Sequence, residues 1–141
     1  MVTKRLAILI AILGILTLGI ARAEEAGARK AAAAAAKAWL KLVDEGKYSQ
    51  SWTEAARYFQ TAVRPETWEE SLRALREPLG GVVSRKLISQ QYSTALPGAP
   101  DGEYVVLQFE TSFSNKRSAV ETVTPMKDRD GVWRVSGYYV K

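Results

Sequence analysis

The sequence predicts an α+β domain, with three N-terminal helices packed on a curved, mainly antiparallel four-stranded sheet. Three observations predict it. Apolar residues recur at intervals of three and four as far as Leu79, and at intervals of two from Val82 onward. The first half is rich in helix formers, including an unbroken alanine run from Ala31 to Ala36. The second half is punctuated by turn residues at Pro97-Gly98, Asp101-Gly102, Asn115 and Asp130-Gly131. A helical half followed by a sheet half is the α+β layout.

The chain opens with Lys4 and Arg5, then an uninterrupted apolar run from Leu6 to Ile20, then Ala21-Arg22-Ala23 and Glu24-Glu25. A basic start, a short apolar segment and an A-x-A site are the parts of a secretory signal peptide. The competing reading is an uncleaved anchor. Spanning a bilayer takes roughly 20 apolar residues, and this run is about 15, which suits a leader better. We therefore expect cleavage after Ala23, with Ala21 and Ala23 as the recognised residues. Residues 1–23 would be removed, leaving a single domain over residues 24–141 in the bacterial periplasm or secreted. Contact with a membrane would end with the leader.

No cysteine is present, so the domain can hold neither a disulfide nor a lipid anchor. About 118 residues would remain, enough to bury about two-thirds of the unfolded surface. Three of the 20 basic residues (Lys4, Arg5 and Arg22) lie in the leader, so 17 face 15 acidic ones and the mature charge is about +2. That is too weak and too dispersed for a nucleic-acid partner.

The first helix is predicted from Arg29 to Glu45, with Ala36, Trp39, Leu40 and Val43 on one face and Gly46 as its cap. The second begins at Ser49 or Ser51, where Ser51-Trp52-Thr53-Glu54 fits a capping box; Trp52, Ala55, Ala56, Phe59 and Val63 form its apolar face. Pro65 suits the first turn of the third helix, in competition with a second capping-box match at Thr67-Trp68-Glu69-Glu70. Trp68, Leu72, Leu75 and Leu79 are its buried stripe, and Pro78 with Gly80-Gly81 stops it. Lys41, Arg57, Arg73, Arg76, Lys116 and Arg117 read as solvated positions.

The first strand is predicted over Val82–Ala95. The second, Glu103–Ser114, alternates most clearly: Val105, Leu107, Phe109, Thr111 and Phe113 face one way, and Gln108, Glu110 and Ser112 the other. The third runs Ala119–Lys127 and the fourth Val132–Val140. A two-residue turn at Asp130-Gly131 would set Tyr138 and Val140 beside Val123. A bulged three-residue turn with Gly131 left-handed would set Trp133, Val135 and Tyr139 there instead. The bulged form gathers the large apolar groups on one side, and we expect it.

The segments LPGAPDGEYVVLQFETSF, AVETV and DGVWRVSGYYVK, with AWLKLVDEGKYSQSW near the start, resemble the bacterial domain-of-unknown-function family 4019. The likeness covers nearly all of the mature chain and is most specific from Asp130 to Tyr139. The family is similar to the NTF2-like (cystatin-like) superfamily, which implies a cone of sheet wrapped on a long helix. It implies no activity or catalytic residue, and a fold of this kind hosts enzymes and plain binding domains alike.

No histidine is present. Ser-His-Asp and Cys-His machinery and ordinary zinc sites are thereby excluded. No phosphate-cradling loop occurs, Asp128 to Gly131 offers only a fragment of a calcium loop, and no cofactor, metal site or catalytic residue is assigned. Glu121 is the carboxylate of interest, because alternation turns it inward near Thr111, with Arg85 within reach as a partner. By likeness to NTF2-like enzymes, an unpaired Glu121 could be a general base, and a hydro-lyase or isomerase using Glu121 or a tyrosine is the alternative function. Paired with Arg85, it would instead fix strand register. Tyr92, Tyr104, Tyr138 and Tyr139 are candidate donors at the cone mouth. The ligand-binding set is Arg85, Glu121, Tyr92, Trp133 and Tyr139. The expected function is a non-catalytic module for a small apolar ligand or a periplasmic protein, with homodimerisation left open.

Overall fold

The computed structural model describes residues 2–141, with side chains from residue 17 onward. Met1, and the side chains of the apolar run as far as residue 16, lie outside the described residues. The element order is α1 (Val2–Asp44), α2 (Tyr48–Thr53), α3 (Arg57–Ala62), α4 (Pro65–Leu79), β1 (Val82–Ser93), β2 (Tyr104–Phe113), β3 (Lys116–Lys127) and β4 (Trp133–Val140). The strands form one antiparallel sheet in sequence order, open at β1 and β4. The α+β class is as expected.

Helix α1 continues N-terminally past the predicted Arg29, through the alanines, without a break. Among the described residues its first buried one is Ala28, followed by Ala32, Ala36, Trp39, Leu40 and Val43. That stripe lies on the sheet, packing with Val105, Leu107, Phe109, Val123 and Val135. At its C-terminus, Gly46 N–H donates to Val43 and Lys47 N–H to Leu42, the paired bonds of a Schellman cap.

The second predicted helix is two helices, which raises the helix count from three to four. The break falls at Ala56, whose N–H donates to the Val135 carbonyl of edge strand β4 at 2.8 Å. A donor committed to the sheet is lost to the helix ladder, so the chain turns there. The Gln60 amide then donates to the exposed carbonyls of Trp52 and Thr53. Ala55, Ala56 and Phe59 are nevertheless buried, as the apolar pattern requires.

Both capping boxes are overruled. Ser51 lies inside α2 and is fully buried; its hydroxyl donates to the Tyr48 carbonyl and accepts from the Trp68 indole, while the Trp39 indole donates to its carbonyl. Two tryptophans therefore meet at one serine, and the hydroxyl is unavailable as a cap. In α4 Pro65 wins the competition with Thr67, and no side chain caps the helix. Pro at the first helical position loses no bond, because that N–H has no partner in any helix. The C-terminus of α4 is pinned to the β2–β3 turn. Asn115 N–H donates to Leu79, the Asn115 amide to Pro78, and Gly80 sits so close that a Cβ there would lie 2.0 Å from Ser114 Oγ. Only glycine fits at that approach.

The predicted alternation of β2 holds, with all five inward residues buried. The β3–β4 turn is the bulged form: Gly131 has φ +81°, its N–H donates to Asp128, and Asp128 N–H donates to Val132. Trp133 and Val135 accordingly face the core. The expectation for Tyr139 fails. A second irregularity in β4, between Val135 and Tyr138, pairs Val123 with Tyr138 and Thr122 with Tyr139. Side chains alternate by one, so the extra residue reverses the inward set halfway along the strand. Tyr138 turns into the core and Tyr139 out to solvent, at 49 % exposure.

Candidate functional site

The polar centre of the molecule is a closed ring of five side chains with Thr111 as a branch, drawn together from α1, α4 and all four strands. Asp44 is the last residue of α1. Its Oδ1 accepts from Arg76 of α4 at 2.8 Å and from Arg85 of β1 at 2.9 Å, and its Oδ2 accepts from Arg85 at 2.7 Å. Arg85 then reaches Glu121 of β3 through Nε at 2.7 Å and Nη2 at 3.2 Å. Thr111 of β2 donates to Glu121 Oε1 at 2.6 Å, and Tyr138 of β4 donates to Oε2 at 2.5 Å. Arg76 closes the ring on the Tyr138 hydroxyl at 3.4 Å and lies 5.0 Å over the Phe113 ring.

Two guanidinium and two carboxylate groups make the ring electrically neutral. Neutrality matters, because Glu121 is 0 % and Arg76 5 % exposed. Burial would raise the Asp44 carboxyl, but hydrogen bonds and charge from Arg85 and Arg76 outweigh it and hold the group below the usual carboxylate range. Burial opposes the charge on Arg85 as well, and bonds to Asp44 and Glu121 more than restore it. Burial and the Glu121 charge together push the Tyr138 hydroxyl well above the normal tyrosine range.

The chemistry open to Glu121 follows from its donors. A carboxylate has about four lone-pair directions, and Glu121 receives four hydrogen bonds, two on each oxygen. None is left to take a proton from a substrate, and no solvent reaches the group. Trp39 fills the space beside Tyr138 edge-on at 5.3 Å, and Trp68 stands 6.1 Å beyond it. The interior next to Glu121 is packed with aromatic rings.

The structure brings together only Arg85 and Glu121 of the expected ligand set. Tyr92 pairs with Val105, seven residues along β1 from Arg85 or about 20 Å, and its hydroxyl meets Glu103 at 3.2 Å. Trp133 is half-buried at the start of β4 against the main core. Tyr139 is outside, with the Lys141 ammonium 5.8 Å from its ring centre. Tyr104 is buried in a separate cluster with Ala56 and Met126, its hydroxyl on the Pro100 carbonyl. Ala21 and Ala23 are exposed on α1.

Asp44 and Arg76 were missed, and Arg76 was misread as solvated. Both carried a signal. Trp68, Leu72 and Arg76 are spaced by four, so Arg76 continues the buried row of α4. Asp44 ends a helix, where a negative charge opposes the dipole and calls for a nearby cation.

Away from the ring, an open groove of about 620 Å³ runs between α1 and β1, with Ala33, Lys37, Leu87 and Gln90 among its lining. No member of the ring or of the expected ligand set lines it.

A family model described as Protein of unknown function (DUF4019) matches residues 35–138. No curated protein matches the chain, and neither does any solved structure.

Proposed function

Since the chain belongs to the DUF4019 family, which supplies no reaction to carry over, we propose that it is an exported, non-catalytic binding module of NTF2-like architecture. In this reading residues 1–23 direct the chain to the periplasm and are removed, and the remaining domain holds a small ligand or a periplasmic protein. The observation that carries the non-catalytic part is the saturation of a fully buried Glu121 by four donors in a neutral ring. A hydro-lyase or isomerase would need that carboxylate free, and Tyr138 is held in its neutral form. Binding would then occur on the surface of a filled domain.

Removal of the leader agrees with where the core begins. Among residues 17–27 none is buried, and Gly19 and Gly27 have open space around them. Cleavage after Ala23 would leave every buried residue from Ala28 onward in place. The test is to express the full chain in a bacterium and weigh the protein in the periplasmic fraction, first denatured and then native. A polypeptide beginning at Glu24 that retains a non-covalent companion, without turnover of carbonyl or hydroxy-acid substrates, is the expected result. Full-length protein confined to the membrane fraction would overturn export.

A further inference from the structure

We infer that the groove between α1 and β1 binds a free long-chain carboxylate, its acyl chain on an aliphatic floor and its head between Lys30 and Lys37. The inference rests on the binding-module reading and gives it a site and a ligand class. The floor is Ala26, Ala33, Ala34 and Leu87. Alanines flank the stripe that packs on the sheet, and a methyl group is too short to bridge from helix to strand. The sheet itself shows the consequence. Gln90 pairs with Leu107, whose side chain is fully buried on the core face, yet Gln90 is exposed. At that point the core face of the sheet is uncovered.

The rim is of one sign. Arg29, Lys30 and Lys37 line the groove and no carboxylate does. Arg29 is already engaged by Glu25 at 3.2 Å. Lys30 and Lys37 are exposed and make no ion pair among the described residues. Seven residues apart, they stand two helical turns from each other, about 10 Å along α1. Among the described residues no aromatic ring lines the groove, so a base or sugar would find nothing to stack on. Cations above an aliphatic floor suit an anion carrying an aliphatic chain.

The test uses the full chain in living bacteria that cannot activate fatty acids, fed a palmitic acid analogue carrying a diazirine and an alkyne. After irradiation, peptide mass spectrometry should place the free-acid adduct within residues 26–37 or 87–90. The corresponding alcohol should label far less. Lys30→Glu with Lys37→Glu should reduce labelling about tenfold, the loss of two exposed ion pairs, with an unchanged melting temperature. Lys30→Arg with Lys37→Arg should preserve it. Equal labelling by acid and alcohol, adducts confined to residues 6–20, or adducts with the mass of a phospholipid would each overturn the inference. Native mass spectrometry separates the two levels. A companion of different chemistry overturns the groove ligand and leaves the binding module standing; no ligand and no protein partner overturns both.

Discussion

The two ends of the α1 segment that lies on the sheet meet it in opposite ways. At the Asp44 end both carboxylate oxygens are engaged and four charges cancel, with Glu121 and Arg76 buried behind the partly exposed Asp44. Near Ala33, by contrast, side chains are minimal, the sheet is partly bare and the charged residues lining the groove are basic. One helix thus borders a saturated polar centre and an open apolar groove. Polar residues at the middle of a fold can be structural, while the groove on its surface is lined mainly by alanine and basic residues.

The largest effect that would sharpen this contrast is at Arg85. Arg85→Ala would strand the Glu121 charge in the interior, and should destabilise the domain by about 3–5 kcal/mol in denaturant unfolding. A loss under 1 kcal/mol would mean that water or another cation reaches the ring. The next effect is at Tyr138. Its folded-state pKa is raised, so its contribution is complete below the unfolded value near pH 10 and is lost as pH rises toward the folded one. Tyr138→Phe should cost about 1–2 kcal/mol at neutral pH and reduce the decline in stability above pH 10. In a 295 nm titration of the wild type, with its six tyrosines, Tyr138 should ionise only on unfolding. A Tyr138 that titrates with the exposed tyrosines would break the comparison. The smallest effect lies at the open end. Ala34→Leu, on an exposed groove position, should change stability by no more than about 0.5 kcal/mol while narrowing the groove.

Much of this layout was legible from periodicity. The alternation of β2, the bulged turn at Gly131 and the Arg85–Glu121 pair each follow from local spacing and the search for a charge partner. What escaped depended on distant contacts or on a break in parity. The division of α2 from α3 is caused by a carbonyl of β4, some 80 positions along the chain from Ala56. Ser51 has the spacing of a cap, but two tryptophans claim it. The irregularity before Tyr138 reverses inside and outside, and only Gly137 hints at it; this is why Tyr139 was expected where Tyr138 stands. Arg76 was read by residue type, although its row on the helix placed it in the core. Of the site, one ion pair was legible and the ring was not, because closing it requires Asp44 from one helix and Arg76 from another.

The most direct test is Glu121→Gln, followed by denaturant unfolding and native mass spectrometry on the same preparation. The expected result is a loss of about 2 kcal/mol, as for hydrogen bonds to a charged group, with any bound companion retained. Unchanged stability together with loss of that companion or of an activity would contradict the account, because Glu121 would then be facing a ligand rather than holding the fold together.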